Sequence, residues 1–170
     1  MVCVKKNLFL NIFSREDARK LTESEIEEEG KKFLLACTNG DAEHVKKCLD
    51  SFNTSVLNRI NADNYDLTGL HYACAYAQLD VLKLLVNHQQ INLNVKNRWG
   101  YSALAYCIVN KEVATVLLES GKLNFQGMNR VKNFAESENG SFQFEFNDIY
   151  GNNYLIKMDS PTSLNSIKKL

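Results

Sequence analysis

Residues 63–86 read DNYDLTGLHYACAYAQLDVLKLLV, and residues 97–118 read NRWGYSALAYCIVNKEVATVLL. Laid over each other, Thr68 matches Ser102, Leu70 matches Leu104 and Tyr72 matches Tyr106, each pair 34 positions apart. A third copy lies upstream as FLLACTNGDAEHVKKCL from Phe33 to Leu49, with Phe33 in the place of Leu70 and Cys37 in that of Cys74. Self-similarity at such a period marks stacked supersecondary units. Within a copy, Leu70, Ala73 and Cys74 recur at i, i+3 and i+4, one face of a helix. Val81, Leu82, Leu84, Leu85 and Val86 form a denser apolar second helix. Thr68 and Asp80 each stand just before a helix, where a side-chain oxygen can accept from its first free N–H groups. The stretches INADNYDL and INLNVKNRWGY between helix pairs are rich in Asn and Asp, which tolerate left-handed turns and suit a tight hairpin.

These units resemble the ankyrin repeat. Asp63, Thr68, Leu70, His71, Ala73, Val81, Leu82, Leu84 and Leu85 match the family's D-x-x-G-x-T-P-L-H-x-A-A and V-V-x-L-L-L pattern. Asn97, Gly100, Ser102, Leu104, Val113, Leu117, Leu118, Gly121 and Asn124 match it in the next unit. Asp66 stands where the family has its hairpin glycine, and Gly69 and Ala103 replace its proline. The unit at 97–118 lacks two residues of the inter-helix turn at Val109-Asn110-Lys111, so a helix end should be short. The implied fold is mostly α, a solenoid of helix-turn-helix units joined by β-hairpin loops. Residues 1–30 are expected as a flanking, capping segment, with a Thr22–Glu25 capping box, and 31–125 as repeats one to three.

Residues 126–146 exceed the family period and read as an insertion. Ser141-Phe142-Gln143-Phe144-Glu145-Phe146 alternates strictly, as a strand with one apolar side does. One reading is an extended hairpin whose phenylalanines rest on the third repeat; another is a projecting finger that meets a partner. Residues 147–170 are expected as a partial fourth repeat: Asp148, Gly151 and Leu155 fall on the family's places, Pro161 sits in the inter-helix turn, and Ile167 and Leu170 open a second helix. On that reading the chain stops inside a helix and leaves apolar surface uncovered.

The 170 residues carry 20 Lys+Arg and 20 Asp+Glu, and the charge is spread evenly along the chain. That lacks the positive excess that phosphate contacts require, so neither nucleic acid nor an anionic membrane is expected as a partner. No apolar run is long enough to span a bilayer. Lys5 and Lys6 precede apolar residues, but Asn7 and Asn11 interrupt them and no small-residue cleavage site comes after. The cysteines Cys3, Cys37, Cys48, Cys74 and Cys107 are odd in number with no CxxC spacing, and read as small buried hydrophobes in a reducing compartment. The expected location is intracellular, cytoplasmic or nuclear.

No P-loop, dinucleotide fingerprint, HExxH or GxSxG is present. His71 and Cys74 lie three apart, but no third group orients the imidazole. No enzyme, cofactor or metal is expected. The resemblance implies a hydrogen bond from His71 to a backbone group, and a contact surface on hairpin tips and first helices. Carried onto this sequence, the family's contact places include Asn64, Tyr65, Leu67, Tyr76, Arg98, Trp99, Tyr101 and Tyr150. Trp, Tyr and Arg dominate interface energetics, so a protein partner held in this groove is the first expectation. The alternatives are a targeting or regulatory arm of a larger, enzymatic protein, or a scaffold that self-associates through the open C-terminal repeat.

Overall fold

The computed structural model describes residues 21–125, 128 and 130–170. The expectations made for residues 1–20, Cys3 among them, lie outside this range. Among the described residues, seven α-helices come first: α1 Glu23–Asn39, α2 Ala42–Ser51, α3 Thr54–Leu57, α4 Gly69–Ala75, α5 Leu79–Asn87, α6 Leu104–Cys107 and α7 Lys111–Leu118. Four strands come next: β1 Val131–Glu136, β2 Phe142–Asn147, β3 Asn153–Ser160 and β4 Ser163–Lys169. The helix pairs α1/α2, α4/α5 and α6/α7 are the three repeat units.

Residues 23–30 are the opening turns of α1, continuous with the first repeat rather than a separate flanking piece. Thr22 accepts from the backbone N–H of Glu25 while the Glu25 carboxylate accepts from the Thr22 N–H at 2.9 Å, a reciprocal cap. The helix ends at Gly40, whose φ of 77° closes the last turn. Asp80 does not cap α5. That position belongs to Gln78, whose amide donates to the carbonyl of Thr38 at 2.7 Å and so ties the second unit to the first. The long connector at 50–62 holds the short helix α3, capped by Asn53. As the missing turn residues imply, α6 has four residues against the seven of α4.

Successive units are stitched by asparagines. Asn58 donates to the carbonyl of Gln90 and accepts from the N–H of Asn92. Asn94 repeats the device on Lys122 and Asn124. Both side chains supply an amide donor and a carbonyl acceptor to the edge of the next loop, a combination that an ionised Asp could not provide.

The C-terminal part corrects the expectation of a fourth helix pair. β1 to β4 form one antiparallel meander in the order β1-β2-β3-β4. At residues 147–170 the hairpin turn of a repeat is kept but the helices are not. The Asp148 carboxylate accepts from the N–H groups of Tyr150 and Asn152, just as the Asn97 side chain accepts from those of Trp99 and Tyr101. Beyond the turn, Tyr154, Ile156 and Met158 are buried and Lys157 and Asp159 exposed, a period of two that only a strand accommodates. Pro161 lies in the two-residue turn joining β3 to β4, where its fixed φ suits the bend.

Phe142, Phe144 and Phe146 of β2 face inward, and Phe125 packs on Phe144 with ring centroids 4.8 Å apart. They join one apolar core that runs from Phe33 of α1 through Leu104 and Leu117 to Met158. Gly121, at φ 68°, passes so close to Thr162 that a Cβ there would lie 2.7 Å from its methyl, so a side chain would meet both strain and a clash. The sheet therefore covers the third unit and turns Gln143 and Lys157 outward. This is the polar terminal cap that a repeat stack needs. The open apolar end on which self-association was expected to depend is occupied by the sheet.

Candidate functional site

The groove is built by the hairpin tips and the first helix of each unit. The first two tips are short turns, each closed by one bridging pair, Asn61 with Leu67 and Lys96 with Ser102. The residue at the bend is left-handed in all three tips: Asp66 at φ 64°, Gly100 at 80° and Gly151 at 85°. Asp tolerates this conformation better than most residues, which explains why it can stand in the glycine place.

Below the tips, tyrosine hydroxyls fix the turns to the helices. Tyr72 of α4 accepts from the amides of Asn61 and Asn64 at 2.9 and 2.8 Å, and Tyr106 of α6 accepts from Asn97 at 2.7 Å. His71 is fully buried. Its Nδ1 accepts from the N–H of Thr68 at 3.2 Å, and its Nε2 faces the carbonyl of Tyr101 at 3.2 Å, linking the second unit to the third. Burial depresses its pKa to about 4, against the opposing pull of the Tyr101 carbonyl. A neutral ring, donating from Nε2, satisfies both contacts. In the third unit Ala105 takes the place of this histidine, and the Ser102 hydroxyl is buried without a partner among the described residues.

The eight expected contact residues divide sharply. Tyr65, Trp99, Tyr76 and Tyr150 are exposed, Tyr150 by 78%. Tyr65 and Trp99 stack across neighbouring tips at a centroid distance of 4.0 Å, and Tyr101 stands 6.4 Å beyond Trp99. Arg98 spans the tips, donating to the carboxylate of Asp66 and to the carbonyl of Ala62 at 3.0 Å. Asn64 is engaged with Tyr72. Leu67 is buried, at 7% exposure, because it closes the hairpin against Leu34 and Tyr72. It shapes the groove floor rather than meeting solvent. Tyr101 is half-buried and carries the guanidinium of Arg130 4.0 Å over its ring, with a second bond from Arg130 to its hydroxyl.

Asn64, Tyr65, Leu67, Trp99, Tyr101, Tyr106 and Ile149 enclose a cleft of about 460 Å³. A second hollow of about 510 Å³ lies upstream, floored by Leu34, Leu35 and Ile60 and edged by Glu27, Lys31, Arg59 and Asp63. Leu35 and Ile60 are 60% and 45% exposed and were missed by sequence reasoning. Leu35 was visible as the counterpart of Tyr72 in the upstream copy; Ile60 had no signal, since the long connector hides its alignment.

Cys37, Cys48, Cys74 and Cys107 are free thiols in the core. Burial raises Cys37, and the bond with Cys107 together with burial raises Cys74, so neither offers a thiolate. Among the described residues no group of three His, Cys, Asp or Glu could hold a metal, and no helix is long and apolar enough to cross a membrane.

A stack of helix pairs, hairpins projecting to one side and a ring-lined channel beneath them, defines a repeat solenoid. The family signature of ankyrin repeats, in three copies, matches residues 1–127, and the chain belongs to that family. No curated protein matches it. Ankyrin repeats are generally protein–protein interaction modules.

Proposed function

We propose that this chain is a non-catalytic binding module that holds a segment of a partner protein in the groove between its hairpin tips and first helices. The observation that carries the reading is the Tyr65–Trp99 stack, about half exposed and forming the wall of an apolar cleft. Rings that served only to brace neighbouring tips would not need to line a hollow. Tyr76 and Tyr150, both in contact places carried over from the family, are more exposed still.

The module works in a reducing compartment, cytoplasm or nucleus, where four unpaired buried thiols persist. Trp99→Ala tests the groove. Losing the stack with Tyr65 costs about 1 kcal/mol of stability, a shift of a few degrees in Tm. Partner affinity should fall about thirtyfold, as for a central interface aromatic. Affinity unchanged in this variant would defeat the groove reading.

A further inference from the structure

The cleft beside Tyr65 and Trp99 has an unbalanced charge at its border. None of its lining residues is charged. Two arginines stand beside it, and only one is neutralised. Arg98 meets the carboxylate of Asp66 at 3.2 Å. Arg130 lies over Tyr101 and donates to the Tyr101 hydroxyl and to the backbone carbonyl of Asp148, the latter at 3.1 Å. Both acceptors are neutral, and among the described residues no carboxylate pairs with it. The Asp148 carboxylate is buried and taken up by Tyr150, Asn152 and Tyr154. Asp63 is exposed, but it lines the upstream hollow instead.

The contacts of Arg130 tie its charge to the cleft. Tyr101 is a lining residue, and Asp148 precedes another, Ile149. Half-buried against the ring, the guanidinium has given up part of its hydration. Its planar fork has more N–H donors than these two bonds use, and the fork matches a carboxylate. An ion pair formed beside apolar surface is stronger than one in open water, because the local dielectric is lower. A neutral occupant would cover this cation without compensating it, whereas an acidic one supplies the missing counter-charge.

Resting on the groove reading above, we infer that the occupant is an acidic segment of a partner protein, with an apolar side chain seated against Tyr65 and Trp99 and a nearby Asp or Glu carboxylate paired to Arg130. The test pans a display library of random short peptides on the full chain. Enriched peptides are dye-labelled, and their binding to wild type, Trp99→Ala, Arg130→Lys and Arg130→Gln is followed by fluorescence anisotropy. Melting curves of each variant check the fold. The expected peptides share an Asp or Glu near a large apolar residue. They bind Trp99→Ala about thirtyfold more weakly. Exchanging the peptide's carboxylate for its amide weakens binding to wild type about tenfold. The same exchange costs nothing on Arg130→Gln, where the pair is already broken, and an intermediate amount on Arg130→Lys, which keeps the charge and loses the fork. A purely structural role for Arg130 would weaken acid and amide peptides alike. Added salt should weaken the acidic peptide more than its amide twin on wild type, a reading that needs no variant. Peptides that need Trp99 but carry no carboxylate, or lose as much on Arg130→Gln as on wild type when it is exchanged, would overturn this inference and leave the groove reading standing. Peptides indifferent to Trp99→Ala, or no enrichment at all, would overturn both.

Discussion

His71 sits fully buried, and the effect of that burial on stability has a definite sign. Its pKa falls from the ordinary value of 6.5 to about 4 in the folded chain. Between those values the unfolded chain binds a proton that the folded one refuses, so stability rises with pH across the window. The contribution is complete above pH 6.5 and is lost as pH falls toward 4, amounting to about 3 kcal/mol in all. Urea unfolding at neutral pH and again near the folded-state pKa should show the loss, and His71→Gln should flatten it. Carboxylates held low by their bonds to lysines, such as Glu27 and Glu43, begin to lose their contribution only near the ordinary value of 4.5, at the acid edge of this window. A second prediction at this scale concerns Asp66. Replacing it with Ala loses an exposed ion pair and places a Cβ with no local hydrogen-bonding help in a left-handed bend, costing about 1–2 kcal/mol by thermal unfolding. Asp66→Gly should cost less, since glycine meets the conformation freely.

At the scale of elements, the helices were legible and the final strands were not. Leu70, Ala73 and Cys74 announced α4 because a helix face repeats every three to four residues, and the 34-residue match carried that assignment to α6. The eight contact places came from the resemblance to the ankyrin repeat, which located Tyr65 and Trp99 on the tips. It could not foresee that Leu67 turns inward, because a hairpin's sidedness depends on what packs beneath it. The fourth unit misled because Asp148 and Gly151 build a true repeat turn, and local turn chemistry does not constrain the backbone beyond the bend. The signals that favoured strands were Tyr154, Ile156 and Met158 in alternation, and Asn139-Gly140 between β1 and β2, a strong hairpin dipeptide. Two predictions belong here. Phe144→Ala removes a fully buried ring from the sheet–helix contact and should cost about 3–5 kcal/mol in denaturant unfolding. Asn94→Ala removes two bonds to the next loop and should cost about 1–2 kcal/mol, with faster amide exchange at Asn124.

For the whole molecule, the sheet and the repeats share one core, so neither is dispensable. Removing residues 131–170 would bare Leu117, Leu118 and Phe125, and the shortened chain should aggregate or melt well below the full one in a scattering-monitored thermal scan. The groove lies on the other side of this dependence. Its rings rest on surface turns, so binding can be altered there without unfolding the stack.

Every strand pairs with the one next to it in the chain, and each helix pair leans on its immediate neighbours. The loops that its contacts close span about one repeat or a little more, as from Thr38 to Gln78, so contacts begin to compensate the lost entropy early. Such a layout lets order start in any segment and spread outward, so the described part of the chain should refold quickly after dilution from urea, with its middle repeat the last to open.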